Sequence, residues 1–191
     1  MRRTFKIVFI FIASACLAAS SPVSICSQSK TVGTDGIACV GNVMQPPPGL
    51  VETENPALLA EARGASGEGK LCAGKVFRVT HPLTVYRVWD GAKSYTEFGR
   101  WWSFSPPQGP RESYREENEI CPTWSALDRL SACMLKVGAL IVIGPGQSAK
   151  CDGTSYGKSA ENQVYVPNDS KNGKVYVENC ISSEKWPNTS P

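Results

Sequence analysis

The stretch from Lys75 to Trp89 reads KVFRVTHPLTVYRVW, and it decides the class of fold. Its two halves, 75–80 and 83–89, are rich in β-branched and aromatic residues, a composition that predicts two successive strands. Strands therefore dominate the chain, and the segments between them are mostly short. Four further segments have the same character and predict strands, namely 134–137, 139–143, 163–166 and 174–177.

Helices are few and short in this pattern. Asn55-Pro56 ahead of residues 57–62 is typical of a helix N-cap followed by proline in the first turn. Residues 112–119 and 125–130 each favour one more short helix. Because strands and helices do not alternate regularly, the sequence predicts an α+β fold with a small curved antiparallel β-sheet core, short helices and stabilising disulfides.

The first residues predict export. Met1–Lys6 is basic, residues 7–17 form an almost unbroken apolar run, and residues 18–21 are small, which is typical of a secretory signal peptide over 1–20. A membrane span needs about 20 apolar residues, so we expect no stable membrane span here. The protein is accordingly expected to be secreted, either extracellular or at the cell surface.

The charge balance argues against a polyanionic partner. The chain has 20 Lys+Arg against 17 Asp+Glu, and loss of Arg2, Arg3 and Lys6 with the signal peptide leaves 17 of each. A mature domain without net charge has no long-range field that would attract nucleic acid or an anionic membrane. We therefore expect no nucleic-acid partner.

The cysteines predict a disulfide framework. Cys16 belongs to the signal peptide, which leaves seven of the eight cysteines in the mature chain. They contain no Cys-x-x-Cys pair and the chain has one histidine, His81, which argues against a zinc site of cysteine and histidine ligands. In an exported protein such cysteines form disulfides, and the odd number leaves one over, for which Cys26 is our candidate.

Two sequons near the C-terminus predict glycosylation at Asn168 and Asn188. The first of them begins the segment 168–173, whose oxygen-bearing side chains and final glycine faintly resemble the start of a calcium loop. The segment lacks an acidic first position and the closing glutamate, so a glycosylated turn is the preferred interpretation. The sequence assigns no metal site, and Ca²⁺ as a regulatory ion stays open.

Arginine and aromatic side chains are concentrated between residues 87 and 115. Arginine forks match paired phosphate oxygens and indole faces stack on flat heterocycles, so such a set suits a nucleotide. The alternative is structural, with the aromatics in the core and the arginines on a solvated face, and composition alone favours it. The set consists of Arg87, Trp89, Arg100, Trp101, Trp102, Phe104, Arg111 and Arg115.

A series of short motifs favours the nucleotide-binding interpretation over the structural one. In order and spacing these motifs resemble the secreted surface NADases of fungi, whose fold is shared by the tuberculosis necrotizing toxin. The resemblance covers roughly residues 75–167 and not the first mature residues or the tail. Its motifs are Tyr-Arg-Val-Trp at 86–89, Gly-Arg-Trp-Trp-Ser at 99–103, Pro-Pro-Gln-Gly-Pro-Arg at 106–111, Tyr-Arg at 114–115, Cys-Pro-x-Trp at 121–124, Lys-Val-Gly at 136–138, Gly-Pro-Gly-Gln-Ser-Ala at 144–149 and Asn-Gln-Val-Tyr at 162–165.

The resemblance implies an active site of two arginines, an aromatic residue and a glutamine. Arg87 matches the arginine of the first strand and Gln163 the late glutamine, and both are expected to be catalytic. Trp101 matches the aromatic residue that follows a Gly-Arg step. The second arginine corresponds to Arg115, with Arg111 as the alternative, because the loop lengths do not align cleanly.

The chemistry of NAD suits these residue types. In NAD the nicotinamide ring is already cationic, so it can leave without being protonated by an acid. The protein then has to hold the pyrophosphate, fix the carboxamide and admit water. The arginines are expected to clamp the phosphates, Trp101 and Trp102 to enclose ribose and nicotinamide, and the glutamine amide to orient the carboxamide or the water. Glu97 and Glu112 are interpreted as solvated surface. The middle-strand histidine of the bacterial toxin has no counterpart, a difference that we assign to the subfamily.

The resemblance therefore implies a secreted, toxin-like NAD glycohydrolase that converts NAD, or NADP, to ADP-ribose and nicotinamide without a required cofactor. It also implies a homodimer. The corresponding organisation is a signal peptide over 1–20, a disulfide-tied extension with a short helix over 21–74, and the catalytic domain with its tail over 75–191. Two other classes stay open, an ADP-ribosyltransferase toxin and a non-catalytic secreted disulfide-rich module.

Overall fold

The computed structural model describes residues 31–183 and 185–187. The predicted signal peptide, Cys26 and the sequon at Asn188 lie outside these ranges. Within them, no helix is long and apolar enough to cross a bilayer. The described chain consists mainly of antiparallel strands with two short α-helices, which confirms the α+β prediction.

The elements are short and joined by compact loops. Two single 3₁₀ turns lie at Ser94–Thr96 and Ser170–Asn172. In chain order the strands and α-helices of the described residues are β1 (Leu50–Thr53), α1 (Pro56–Ala62), β2 (Lys75–Val79), β3 (Thr84–Trp89), β4 (Trp101–Trp102), α2 (Arg111–Glu117), β5 (Arg129–Leu135), β6 (Leu140–Pro145), β7 (Ala149–Cys151), β8 (Thr154–Tyr156), β9 (Asn162–Tyr165) and β10 (Val177–Ser183).

Two antiparallel sheets form the body of the fold. The larger has the strand order β1-β2-β6-β9-β4 and the smaller the order β10-β5-β3, while β7 and β8 form a separate hairpin. Tyr86 of β3 and Ser103, directly after β4, exchange backbone hydrogen bonds of 2.8 and 2.9 Å. These two bonds join the edges of the sheets, and they bring Arg87 on β3 beside the tryptophans of β4.

The main core lies between the two sheets. Phe77 and Ile141 of the larger sheet belong to one buried cluster with Val85 and Leu135 of the smaller, and each is at most 1% exposed. Successive side chains of a strand point to opposite faces. Val142 therefore points away from this core, into a second cluster beneath α1, and β6 is covered on both faces.

The predicted helix at residues 57–62 is confirmed as α1. Asn55 Oδ1 accepts a hydrogen bond from the Leu58 backbone N–H at 3.0 Å, and Pro56 occupies the first turn. Leu58 and Ala62 are buried against the outer face of the larger sheet. The segment before residue 75 thus contributes one helix and the edge strand β1 to this sheet.

The prediction of disulfides is also confirmed. The six cysteines of the described residues form the pairs Cys39–Cys72, Cys121–Cys151 and Cys133–Cys180. The first pair ties the segment before β1 to the chain just ahead of β2. The second joins the segment after α2 to β7, and the third joins β5 to β10. Crosslinks therefore connect elements that are distant in sequence.

The predicted helix at residues 125–130 is wrong. Residues 126–128 are not helical, and Arg115 Nη2 donates to the carbonyl oxygen of Ser125 at 2.8 Å, a side-chain contact that holds the segment in this course. Leu127 adopts a left-handed conformation with φ of 51°, which also breaks a helix. The segment is irregular instead, and β5 begins at Arg129, earlier than the predicted strand.

The position of the last strand also differs from the prediction. Residues 174–177 were expected to be extended and paired, but Lys174 closes a turn by exchanging backbone hydrogen bonds of 2.7 and 3.0 Å with Asp169. The strand itself is β10, which begins at Val177 and pairs with β5. The paired region therefore lies further towards the C-terminus than predicted.

Candidate functional site

A cavity of about 380 Å³ lies where the two sheets meet. Its volume is within the range of about 300–1,000 Å³ that is usual for small-molecule sites. Strands β3, β4 and β9 and the segment after α2 contribute its walls. Of the site residues predicted from the sequence, it brings together Arg87, Trp101, Trp102 and Gln163.

Arg87 is held at the cavity wall by the main chain. Its Nε donates to the carbonyl oxygen of Thr96 at 2.8 Å and its Nη1 to that of Trp101 at 2.7 Å. Burial lowers the pKa of Arg87 to about 10, so the guanidinium keeps its charge at neutral pH. It forms no ion pair with a carboxylate of the described residues. The cavity is therefore bordered by a cation without a counter-ion.

Gly99 makes room for that guanidinium. A Cβ atom on Gly99 would lie 2.3 Å from Arg87 Nη2, closer than real side chains approach. The Gly99 carbonyl oxygen accepts hydrogen bonds from Trp102 Nε1 at 2.8 Å and from Asn168 Nδ2 at 3.0 Å. The Gly-Arg step of the sequence motif thus has a steric reason in this fold.

Trp101 and Trp102 border the cavity from different faces of β4. Because neighbouring strand residues point to opposite sides, Trp102 packs into the main core and Trp101 onto the cluster beneath α1. The Trp101 ring meets Tyr165 edge-on, with ring centroids 4.9 Å apart, and is half-buried. Trp102 is only 3% exposed. Trp101 therefore offers the larger free surface for a ligand, and Trp102 mainly anchors the strand.

Gln163 projects from β9 towards the end of α2. Its Nε2 donates to the carbonyl oxygen of Asn118 at 3.2 Å and to Glu119 Oε2 at 2.8 Å. The side chain is 6% exposed and borders the cavity. The glutamine expected from the motif is thus a nearly buried amide, bound on its nitrogen side by the protein.

Glu119 is a candidate that the sequence analysis missed. Its side chain is 1% exposed, and burial raises its pKa to about 8, although hydrogen bonding from Ser159 and Gln163 opposes the rise. It packs directly on Gly146, where a Cβ atom would lie 2.1 Å from its Oε2. At neutral pH the group is therefore mostly a neutral carboxylic acid, and it borders the same cavity as Gln163.

Tyr114 completes the wall beside Arg87. Burial raises the pKa of its phenol to about 12, and the positive charge of Arg87 opposes the rise. Its ring meets Trp186 edge-on, with centroids 5.0 Å apart. Tyr114 belongs to the Tyr-Arg motif at 114–115, but the sequence predicts no role for it. A neutral phenol at this position can donate a hydrogen bond to a ligand.

The structure does not bring Arg111 or Arg115 into the cavity. Arg115 is 4% exposed and its Nη2 donates to carbonyl oxygens of the segment after α2. Arg111 donates from Nε to the Leu127 carbonyl at 2.8 Å and from Nη2 to the Trp186 carbonyl at 3.0 Å. Both guanidinium groups therefore hold residues 120–127, which form one wall of the cavity, and neither is placed to clamp a phosphate there.

Glu97 and Glu112 also lie outside the cavity. The Glu112 side chain is 77% exposed and reaches Arg115 Nε at 3.5 Å. Glu97 accepts a hydrogen bond from the Ser131 hydroxyl at 3.1 Å. Neither carboxylate approaches the group formed by Arg87 and Gln163.

Asn168 lies in the interior, where the sequence predicted a glycosylated turn. It is 2% exposed, and Oδ1 accepts from the Tyr176 backbone N–H at 2.8 Å while Nδ2 donates to the Gly99 carbonyl. A glycan on Nδ2 would displace that bond, so the geometry argues against glycosylation at this position. Asp169 accepts from Asn172 Nδ2 at 2.6 Å, and the described residues contain no group of three or more His, Cys, Asp or Glu suited to a metal.

Comparisons with protein-family models, with curated proteins and with solved structures find no match to this chain. The likeness to fungal NADases therefore depends on the motifs quoted above. The main chemical features of the cavity are the guanidinium of Arg87, the face of Trp101 and the Gln163–Glu119 pair.

Proposed function

We propose that this protein is a secreted NAD glycohydrolase, which hydrolyses the bond between nicotinamide and ribose. The observation that carries the proposal is the position of Arg87. A guanidinium without an acidic partner shares one cavity with a half-buried indole and a nearly buried glutamine amide. A ligand with both a phosphate charge and a flat heterocycle complements that combination.

The charge of Arg87 favours an anionic ligand. A guanidinium has five N–H groups, and two of its nitrogens already donate to the Thr96 and Trp101 carbonyls. These two bonds fix the plane of the group, and its remaining N–H groups can donate to oxygens of the pyrophosphate. Because the site is partly desolvated, such a charge-assisted bond is stronger than the same bond at the surface. Arg87 would thus hold the ligand in a defined position.

The reaction requires little acid–base chemistry from the protein. The C1′–N1 bond breaks, its electron pair stays on the nicotinamide nitrogen, and the ribose passes through a state that resembles an oxocarbenium ion. A water oxygen then forms the new bond to C1′ and loses a proton to solvent, which gives ADP-ribose. The role of the protein is to orient the two rings and the water. Trp101 borders the ring, and Gln163 fixes a polar contact beside it.

The direct test is incubation of the purified mature protein with NAD, produced where disulfides can form. We expect equimolar release of nicotinamide and free ADP-ribose, measured by chromatography. The same assay with NADP, with calcium and with a chelator defines the substrate range and any ionic requirement. ADP-ribose that appears only on an added acceptor protein would indicate a transferase. Absence of nicotinamide release by folded protein would refute the proposal.

A further inference from the structure

The amide of Gln163 is fixed in one orientation. Its Nε2 lies 3.2 Å from the Asn118 carbonyl oxygen and 2.8 Å from Glu119 Oε2. A peptide carbonyl oxygen can only accept a hydrogen bond. If the amide were rotated by a half-turn, its own oxygen would face that carbonyl, which is repulsive. The bonding pattern therefore assigns nitrogen and oxygen within the side chain, and both Nε2 hydrogens are committed to the protein.

The neighbours of this amide have little freedom to move. Glu119 is 1% exposed and packs so closely on Gly146 that a Cβ atom there would lie 2.1 Å from its Oε2. Asn118 Nδ2 donates to the Tyr114 carbonyl at 3.0 Å, which holds the preceding residue as well. Gln163 Oε1, by contrast, has no hydrogen-bond partner in the part of the chain that the structure describes, and its residue borders the cavity.

We propose that Gln163 serves the cavity only as an acceptor, through Oε1, and thereby selects ligands that carry an N–H donor at this position. The inference rests on the proposed function, since it names the part of the substrate with which Gln163 forms a hydrogen bond. Nicotinamide has such a donor in its carboxamide. A methyl ketone at the same ring position has none, and a carboxylate has none and also adds a negative charge.

The selection should be measurable with dinucleotides that differ only at this ring substituent. An analogue without the donor leaves a nearly buried acceptor unsatisfied, which corresponds to about a ten- to hundredfold loss of kcat/KM. The substrates are NAD, 3-acetylpyridine adenine dinucleotide and nicotinic acid adenine dinucleotide. Each kcat/KM is divided by the uncatalysed cleavage rate of the same compound, because the three leaving groups differ in intrinsic reactivity.

A pair of variants separates the role of Oε1 from general effects. Gln163→Met keeps the length of the side chain and removes the acceptor together with the two Nε2 bonds, and because each kcat/KM ratio compares two substrates on the same variant, the ratio of NAD to the acetylpyridine analogue should fall to about one. Gln108→Met is the matched control on the exposed surface and should keep the ratio of the unmodified protein. If Gln163→Met does not fold, inhibition of the unmodified protein by free nicotinamide and by 3-acetylpyridine replaces it, and nicotinamide should bind more tightly.

The outcomes distinguish the two proposals. If the unmodified protein cleaves NAD and the acetylpyridine analogue with equal corrected kcat/KM, the proposed function stands and the acceptor role of Gln163 is wrong. The same conclusion follows if Gln163→Met cleaves NAD but retains the full preference. If NAD itself is not cleaved, the proposed function fails, and direct binding of nicotinamide and of 3-acetylpyridine, measured by calorimetry, then tests the acceptor role alone: equal affinities would refute it.

Discussion

Gln163 Nε2 and Glu119 Oε2 are joined by a hydrogen bond of 2.8 Å, in which a carboxyl group with an exposed fraction of 1% accepts from an amide that borders the cavity. The bond links β9 of the larger sheet to the end of α2. Glu119 forms no ion pair with a cation of the described residues. The cavity therefore contains an acid whose charged form is disfavoured by its surroundings.

The first prediction concerns the pH dependence of stability. Burial raises the pKa of Glu119 from 4.5 to about 8, so between these values the native state keeps a proton that the unfolded state has lost. The free energy of unfolding should therefore fall as pH rises from about 4.5 to 8, by at most about 1.4 kcal/mol per pH unit from this group. Glu119→Gln should remove this part of the slope, as measured by denaturant unfolding at several pH values.

The control for this prediction is Glu54→Gln, which changes an exposed glutamate. It should leave the pH profile of the unmodified protein unchanged. A Glu119→Gln variant that loses stability between pH 5 and 8 as steeply as the unmodified protein would show that this carboxyl already titrates near its ordinary value.

The second prediction concerns the shape of Arg87. Its guanidinium spans the carbonyl oxygens of Thr96 and Trp101 with two different nitrogens. A lysine side chain has one charged nitrogen, so it cannot make the same planar pair of bonds while it also faces the cavity. Arg87→Lys should therefore lower kcat/KM for NAD by at least about tenfold despite the conserved charge. Steady-state nicotinamide release provides the measurement, and normal kinetics would mean that Arg87 is only structural.

Local signals explain which parts of the fold were predictable. The composition of β2 and β3 and the Asn55-Pro56 cap are contained in a few consecutive residues, and both the strands and α1 were predicted correctly. The failed helix at residues 125–130 has a non-local cause. The carbonyl oxygens of Ser125 and Ala126 accept hydrogen bonds from Arg115, a contact that no local pattern within the segment contains.

The same distinction applies to the site. Arg87 and Gln163, which both border the cavity, were predicted because each belongs to a motif with a recognisable order along the chain. Glu119 had no such signal beyond the apolar Ile120 and the Cys121 that follow it. Its carboxyl group packs against Gly146, which directly follows β6 and is distant from Glu119 in sequence. When tertiary contacts create the environment of a residue, its neighbours in sequence do not predict that environment.

The third prediction concerns Gly99. Because a Cβ atom there would lie 2.3 Å from Arg87 Nη2, Gly99→Ala should displace the guanidinium without removing it. We expect kcat/KM for NAD to fall by about tenfold or more, with a lower melting temperature. Gly157→Ala is the matched control, since a Cβ atom on Gly157 meets nothing within 4 Å. Equal activity of the two variants would show that the position of Arg87 does not limit the reaction.

The fourth prediction concerns the disulfides. Cys133–Cys180 joins β5 to β10 across a sequence separation of 47 residues. Closing a loop of that length stabilises the native state by about 4 kcal/mol on the chain-entropy estimate. Replacement of both cysteines by alanine should lower the free energy of unfolding by an amount of that order, and activity should be lost only where the protein unfolds. Peptide mapping without reduction should recover this pair together with Cys39–Cys72 and Cys121–Cys151.

The last prediction concerns Asn168, whose side chain holds the Gly99 carbonyl through Nδ2 and the Tyr176 backbone N–H through Oδ1. Ser170→Ala and Asn168→Ala both destroy the sequon, but only the second removes these two bonds. Ser170→Ala should change the mass only by the oxygen atom that it removes and should keep the melting temperature, because we expect no glycan on the buried Nδ2. Asn168→Ala should lower the free energy of unfolding by about 1–3 kcal/mol and also reduce NAD cleavage, since the Gly99 backbone abuts Arg87. Mass spectrometry and thermal unfolding of both variants, made in a host that glycosylates exported proteins, decide the question. Loss of one glycan in Ser170→Ala would mean that Asn168 is exposed when the chain is modified, and it would contradict the role given to it here.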